Sequence, residues 1–319
     1  MTSRNLRANN TNHTLPYSIR RARYRAMRTR LRAPLAWLLH RRLTSADVFI
    51  GSYPRSGSHW LKFQLLEILT GRPASFENIK QLIPKVGDHG IPSATALEVL
   101  GLILPAEAPP IVPGGGRLIH THERYRPEYK KAIYLVRDLR DVALSEYAQQ
   151  KALDTLSYYD LTDFDSFLEP FLDGKIDRYG PWHDHVAGWL ESSLAKDGNL
   201  LVIRFEDLRQ NTENLLVSVV EFLGMGADRD AIRQAIANNT VDRMRAKEDV
   251  SKVVVRGPGE EGRFVRRGSV GGWRERLNPM QLERIGRYAG GMLARLGYPP
   301  CKSAAQETIP RGKARASAG

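Results

Sequence analysis

Short runs of Val, Ile, Leu, Phe and Tyr recur along the chain, and each is followed by a stretch with helical spacing or by a polar loop. The runs read DVFIGSY (47–53), GRLIHTH (116–122), KAIYLVRD (131–138) and NLLVIRFEDL (199–208). This alternation favours parallel strands joined by crossover helices. The pattern therefore predicts an α/β fold: a single domain, residues 46–300, with a central parallel sheet flanked by helices.

The N-terminal segment, residues 1–45, has a different pattern, in which apolar side chains recur every three or four residues among arginines. These apolar residues are Tyr24, Met27, Leu31, Leu35 and Leu38. The spacing predicts a basic amphipathic helix interrupted at Pro34. We expect residues 20–43 either to dock on an anionic membrane surface or partner, or to form a solvated, partly disordered extension. The lack of acids also resembles a transit peptide.

The net charge of +13 is concentrated at the two ends. Residues 1–45 hold eleven arginines and no acid, and residues 301–319 carry +3, which leaves −1 for residues 46–300. A nearly neutral body argues against a nucleic-acid partner. The C-terminal tail, 301–319, is predicted to be disordered.

The cysteine content and the length of the apolar runs indicate the cellular compartment. The single cysteine, Cys301, cannot form an intramolecular disulfide and offers no metal-ligand spacing. The longest apolar runs, APLAWLL and VLGLIL, fall far short of the roughly 18 residues that a membrane span needs. We therefore expect a cytoplasmic protein that reaches a membrane surface, if at all, through residues 20–43.

Residues 88–115 are rich in proline and run into a glycine triplet at 114–116. This composition predicts an excursion over the surface, either a lid or a loop that shapes an acceptor site.

The segment VFIGSYPRSGSHWLKFQLLEILTG (48–71) passes from an apolar run through a glycine-containing turn into helical spacing. A turn of this kind aims several backbone N–H groups and the positive end of a helix dipole at one point, so it predicts an anion site. The nucleotide-kinase signature, G-x-x-x-x-G-K-[ST], is not met. Five residues separate Gly51 from Gly57, and Ser58 stands where lysine is required. The cation lies inside the turn, as Arg55.

Four blocks in order resemble the cytosolic-type sulfotransferases that use 3′-phosphoadenosine 5′-phosphosulfate. SYPRSGSHW is similar to that family's YPKSGTTW loop, and VRDLRDVALSEY (136–147) is similar to its 3′-phosphate segment. RYGPWHDHVAGW (178–189) resembles its G-x-W-x-x-H-V-x-x-W block, and FVRRGSVGGWRERL (264–277) resembles its R-K-G-x-x-G-x-W element. The resemblance covers roughly residues 47–300.

The resemblance implies a P-loop-like phosphosulfate site, a sulfuryl donor as cofactor, and no metal. Arg55 and the loop Ser56, Gly57, Ser58, His59 and Trp60 would hold the 5′-phosphosulfate. Arg137 and Ser145, eight residues apart, would hold the 3′-phosphate. Further donor contacts would come from Phe205, Thr240, Val241, Arg266, Arg267 and Gly268. Taken alone, Arg137 and its neighbours Asp138, Arg140 and Asp141 could instead form a surface ion-pair cluster, a less favoured alternative.

The catalytic base implied by the resemblance is His122, with Arg55 and Ser145 assisting. Residues i and i+2 of a strand share a face, so His120 and His122 are expected on the same side. Three residues depart from the family. Arg55 and His120 replace lysines, and Phe205 replaces a tyrosine. Trp60 could stack on adenine, although such a residue is more often part of a core.

These observations favour a sulfotransferase that acts on a hydroxyl-bearing small molecule, lipid or glycan, with in-line transfer and no metal. Two alternatives stay open at this stage. One is a nucleoside or nucleotide kinase of P-loop-like fold. The other is a non-catalytic membrane-associated protein with a vestigial nucleotide site.

Overall fold

The computed structural model describes residues 40–86, 107–254, 262–266 and 268–301. Five parallel strands form one sheet in the spatial order β2-β3-β1-β4-β5. The strands are β1 Val48–Ser52, β2 Lys85–Val86, β3 Leu118–Thr121, β4 Lys131–Val136 and β5 Leu200–Arg204.

Helices cover both faces of this sheet. In chain order they are α1 Ser58–Thr70, α2 Asn78–Leu82, α3 Leu139–Ala152, α4 Phe164–Leu172, α5 Trp182–Leu190, α6 Ser193–Lys196, α7 Phe205–Gln210, α8 Thr212–Phe222, α9 Arg229–Asn238, α10 Val241–Val250 and α11 Pro279–Arg295. Short 3₁₀ turns span Leu156–Tyr159 and Gly272–Glu275.

Two apolar cores sandwich the sheet. One packs α3, α4, α5 and α11 against strand residues such as Phe49 and Tyr134. The other packs α1, α8 and α9 against Ile50 and Ile133. The central strands β1 and β4 are buried on both faces, which is why their sequences are apolar at nearly every position.

In parallel α/β sheets, ligands bind beyond the carboxyl ends of the strands. Three segments of interest follow strands at this edge. β1 leads into the turn before α1, β3 leads to His122, and β4 leads through Arg137 to α3. Asp138 caps the N-terminus of helix α3, and its carboxylate accepts the backbone N–H of Arg140 at 3.0 Å.

The sequence-based prediction of a parallel α/β sheet is confirmed, and all four apolar runs contain a strand. Strand β2 was not predicted, because two residues carry no periodic signal. The amphipathic pattern at 24–38, the tail from 302, and most of the predicted excursion lie outside the described residues. The described end of that excursion forms a single antiparallel bridge between Val112 and Gly116.

Candidate active site

The turn between β1 and α1 has two residues in the left-handed region, Arg55 at φ 67° and Gly57 at φ 92°. This conformation carries the chain sharply from the strand into the helix. The hydroxyl of Ser56 is buried in the turn and has no hydrogen-bond partner among the described residues. A buried hydroxyl without a partner is unfavourable, and an anion held in the turn would satisfy it.

Arg55, Arg137 and Ser145 meet beside this turn. Arg55 Nε donates to Ser145 Oγ at 3.1 Å, and Arg137 Nη1 donates to the Arg55 carbonyl at 3.1 Å. Arg137 Nη2 reaches the Ser269 carbonyl at 3.0 Å, while its buried Nε has no partner within the described ranges. The sequence-predicted phosphate ligands are therefore neighbours, although they are 82 and 90 residues apart in the chain.

Burial lowers the pKa of Arg55 to about 10, Glu146 opposes this shift, and the nearby cations Arg266 and Arg137 add to it. Burial also lowers the pKa of Arg137, although Asp141 and Glu206 oppose the shift. A group of guanidinium ions that is only partly compensated favours a polyanionic ligand such as a phosphate or sulfate ester.

Phe205 forms the floor of the turn. A Cβ on Gly57 would lie 2.5 Å from two carbons of the Phe205 ring, so this position has room only for glycine. The Arg137 guanidinium lies 4.7 Å from the centre of the same ring. Phe205 thus supports both the turn and Arg137 through its ring, a role that needs no hydroxyl.

Trp60 is half-buried on the first turn of α1. Its indole N–H donates to the Asn239 carbonyl at 2.7 Å, and the Arg209 guanidinium lies 4.8 Å from its ring centre. One face of the indole is therefore covered by Arg209, which leaves at most the other face for the stacking role expected from the sequence.

The segment around Arg266 is tied to α10. Buried Glu248 accepts the backbone N–H groups of Phe264 at 2.9 Å and Val265 at 2.8 Å. The Val241 side chain lies 3.7 Å from where a Cβ on Gly268 would stand. Thr240 is exposed and caps α10 by accepting the Arg243 N–H. Arg267 lies outside the described residues.

His122 follows β3 and is 8% exposed. Its Nδ1 lies 2.7 Å from the carbonyl oxygen of Ser52, the last residue of β1, and Ser52 Oγ lies 3.2 Å from the same nitrogen. Because a carbonyl can only accept, Nδ1 carries the proton in the neutral ring. Nε2 is left as the basic nitrogen, and the described part of the chain offers it no hydrogen-bond partner.

His185 on α5 holds the backbone at this point. Its Nε2 donates to the carbonyls of His122 at 3.0 Å and Glu123 at 3.1 Å, and its Nδ1 accepts from the Tyr134 hydroxyl at 2.9 Å. Trp189 donates to the same Glu123 carbonyl at 3.2 Å. Neither His185 nor Trp189 was assigned a role from sequence. Their common block, RYGPWHDHVAGW, was the available signal.

His120 is fully buried, and neither ring nitrogen has a partner among the described residues. Its ring centre lies 4.5 Å from that of His122, as expected for residues two apart on a strand. The pKa values of both histidines lie well below 6.5. Burial is the main cause, and Lys62 and Lys85 add to the effect. Both rings are therefore neutral near pH 7.

Asp138, Arg140 and Asp141 do not form a surface cluster. Arg140 is fully buried, pairs with Asp138 at 2.7 Å and stacks 3.7 Å from the Trp273 ring centre. Asp141 accepts the backbone N–H groups of Gly271 and Trp273. These residues anchor the segment after Gly268, and the alternative interpretation of Arg137 as one member of an exposed ion-pair group is wrong.

Within the described ranges, no set of three or more His, Cys, Asp or Glu side chains is arranged to bind a metal ion. In the same ranges, the helices are all too short or too polar to span a membrane.

Comparison with known proteins identifies relatives of this chain. The family model described as the sulfotransferase domain matches residues 117–297, more than half of the chain. Human sulfotransferase 2B1 is 28% identical over 252 residues, which span 76% of this chain and 64%, under two thirds, of the human protein. Mouse sulfotransferase 1A1 is 26% identical over 259 residues, covering 75% of this chain and 81% of the mouse protein.

Two solved structures share the fold. Retinol dehydratase in complex with retinol and PAP superimposes with a TM-score of 0.64 at 20% identity, covering 83% of this chain and 86% of that one. Mouse sulfotransferase SULT7A1 complexed with PAP gives a TM-score of 0.58 at 24% identity, covering 81% and 89% of the two chains.

Proposed function

The chain belongs to the sulfotransferase family of enzymes, and from this premise we propose that it transfers a sulfuryl group from 3′-phosphoadenosine 5′-phosphosulfate to a hydroxyl of an acceptor. The observation that carries the proposal is the meeting of three strand ends. They bring together a turn with the unsatisfied hydroxyl of Ser56, an Arg55 that contacts both Arg137 and Ser145, and a neutral histidine with a basic Nε2.

The sulfuryl donor, 3′-phosphoadenosine 5′-phosphosulfate, fits the first two of these features. Ser56 Oγ and Arg137 Nε are buried donors without a partner among the described residues, and both border the turn. In the proposal the amides of residues 56–60 and Arg55 hold the phosphosulfate, and Arg137 with Ser145 holds the 3′-phosphate. The donor supplies the sulfuryl group, and two structural neighbours, retinol dehydratase and mouse SULT7A1, are known in complex with the related nucleotide PAP.

His122 acts as the general base. Its Nε2 takes the proton of the acceptor hydroxyl as the oxygen–sulfur bond forms, and the electron pair of the broken sulfur–oxygen bond stays on the departing 5′-phosphate. The Nδ1–H bond to the Ser52 carbonyl stabilises the imidazolium that results and keeps the ring in one orientation. His185 positions His122 by holding its carbonyl.

Arg55 stabilises the negative charge that develops on the leaving group. Its pKa, lowered to about 10, still leaves it charged at pH 7, so it acts as a fixed cation and not as a proton donor. Ser145 keeps the guanidinium in place through the 3.1 Å bond to Nε. No step of the proposed reaction requires a metal ion.

The acceptor proposed here is a hydroxyl-bearing small molecule, lipid or glycan. Structures of the neighbour retinol dehydratase contain retinol or androsterone, both of which carry a hydroxyl. A membrane-surface role for residues 20–43 stays a prediction, since those residues are outside the described ranges.

The test uses the full-length protein, sulfur-labelled donor and a fractionated cell extract. We expect label in a product whose formation requires the enzyme and is lost in His122→Ala. Arg137→Lys keeps the positive charge but removes the bidentate guanidinium, so we expect it to weaken donor binding and to leave His122 able to act as the base. Donor binding without transfer to any fraction would contradict the catalytic role, and failure to bind adenosine 3′,5′-bisphosphate would contradict the proposal as a whole.

A further inference from the structure

Four basic side chains face one another between α1 and the β2–β3 end of the sheet. His59 and Lys62 are one helical turn apart on α1. Lys85 on β2 pairs in register with His120 on β3, so these two side chains share the sheet face that packs on α1. The rings of His59 and His120 are 6.1 Å apart. We call these four residues the basic pocket.

Two members of the basic pocket, Lys62 and His120, are buried and have no hydrogen-bond or ion-pair partner among the described residues. Lys62 is 4% exposed, and within the described chain its ammonium group makes no hydrogen bond or ion pair. His120 is fully buried, and both of its ring nitrogens lack partners in those same residues. Buried cations and polar groups of this kind are ordinarily paired, because an unpaired one loses its hydration with nothing in return.

The surroundings of the basic pocket are themselves basic. Burial, and then the charge of Lys80, lowers the pKa of Lys62 to about 7. Burial comes first for Lys85 as well, whose pKa is lowered further by Lys62, Arg178 and Lys80. The nearby carboxylate of Glu77 is engaged elsewhere, by Ser251 at 2.8 Å and the Lys252 N–H at 3.1 Å.

Lys85 and His120 lie on the side of His122 away from the proposed nucleotide site, whereas His59 and Lys62 lie on α1, directly after the donor turn. The donor ligands Arg55 and Arg137 follow β1 and β4, whereas His120 and Lys85 lie on β3 and β2. In the order β2-β3-β1-β4 these are opposite directions from the base, which follows β3. A group bound between Lys62, Lys85 and His120 would therefore lie beside the base, on the side away from Arg137, and we assign it to the acceptor.

Aromatic rings adjoin the basic pocket. The His59 ring packs edge-on against Phe264 at 4.6 Å between centres and lies 6.5 Å from Phe76. These rings offer an apolar surface directly beside the basic side chains. A ligand that joins an anionic group to a flat or apolar body matches both parts.

We propose that the basic pocket binds an anionic group, a carboxylate or a sulfate or phosphate ester, on an acceptor that presents its hydroxyl to His122. Lys62 is the specificity-determining residue in this proposal, and His120 donates to the same group through a ring N–H. This inference rests on the proposed function and narrows its substrate class from hydroxyl compounds in general to acidic ones.

The test compares two probes of nearly the same shape, the anion 4-hydroxybenzoate and the neutral 4-hydroxybenzamide. Each is titrated by calorimetry into the full-length protein saturated with adenosine 3′,5′-bisphosphate. We expect the benzoate to bind about tenfold or more tightly than the amide, as is usual for a hydrogen-bonded charge in a buried site. Lys62→Met should abolish the preference, and Lys62→Arg should restore most of it.

Lys151→Met, at an exposed position on α3, is the matched control and should keep the full preference. Equal binding of the two probes, no binding of the benzoate, or a preference that survives in Lys62→Met would overturn the proposal. So would a Lys62→Met protein whose affinity for the sulfuryl donor falls while its affinity for the bisphosphate does not, because the pocket would then serve the sulfuryl group. If the wild-type protein does not bind the bisphosphate, that result would instead count against the proposed function.

Discussion

Gly57 and Gly71 flank helix α1 and allow the anion turn to be tested by a pair of matched substitutions. Both glycines have positive φ, 92° and 66°. They differ in their surroundings, because a Cβ on Gly57 would lie 2.5 Å from the Phe205 ring whereas a Cβ on Gly71 would meet nothing within 4 Å. Gly71→Ala therefore measures backbone strain alone, and Gly57→Ala measures strain plus the clash.

The expected magnitudes follow from these contacts. An alanine in the left-handed region costs about 1 kcal/mol of unfolding free energy at either position. The clash at Gly57 adds about 2 kcal/mol, typical of inserting a carbon into a well-packed site. Phe205 cannot move aside freely, because Arg137 lies on its ring and Trp60 packs against it at 6.3 Å between centres. We expect losses of about 3 kcal/mol for Gly57→Ala and about 1 kcal/mol for Gly71→Ala.

Urea unfolding of the full-length protein measures both losses, and titration with adenosine 3′,5′-bisphosphate measures the effect on the turn. Gly57→Ala should also weaken binding of the bisphosphate, since the amides after Arg55 are displaced, whereas Gly71→Ala should not. In a double-mutant cycle, Phe205→Leu should recover a part of the Gly57→Ala loss. Equal destabilisation by the two alanines, or the absence of coupling to Phe205, would refute the packing argument.

Three further outcomes are expected. His122→Ala should lower turnover about a hundredfold or more with donor affinity nearly intact. Because burial holds the pKa of His122 well below 6.5, turnover of the wild type should stay level down to about pH 6.5 and fall only at lower pH. A limb centred at or above 6.5 in the rate profile would assign the kinetic pKa to another group. Arg137→Ala should weaken bisphosphate binding by about 2 kcal/mol or more, measured by calorimetry, and unchanged affinity would remove Arg137 from the site. The pKa values of His120, His122 and His185 are lowered in the folded state, so below pH 6.5 the unfolded chain binds more protons than the folded one. The free energy of unfolding should therefore decrease as the pH is lowered through this range, by up to about 1.4 kcal/mol per pH unit for each histidine. An unchanged urea midpoint between pH 7 and 5.5 would contradict their burial in the neutral form.

Much of the fold could be predicted from the sequence because the relevant signals are local. The four long strands follow from apolar runs, and the position of Arg55 inside the turn follows from the glycines around it. The expectation that His120 and His122 lie on one side follows from the period of a strand. In each case the controlling interactions join residues a few positions apart.

Other features were missed or left ambiguous because their controlling partners are distant in sequence. Strand β2 is only two residues long and exists through its pairing with β3. Asp138 and Arg140 look like surface charges in the sequence, yet packing against Trp273 makes them internal. The role of His185 depends on carbonyl groups 62 and 63 residues away.

The sequence by itself determined the chemical groups that can meet at the carboxyl edge of the sheet, since strand, turn and helix signals place Arg55, Arg137 and His122 at the ends of strands. The tertiary structure alone decided the protonation state and the environment of those groups. The Ser52 carbonyl selects the tautomer of His122, and packing of α1 on the sheet encloses Lys62 with three other bases. The physical reason is that charge, tautomer and pKa depend on which atoms surround a group, and those atoms come from segments that only folding brings together.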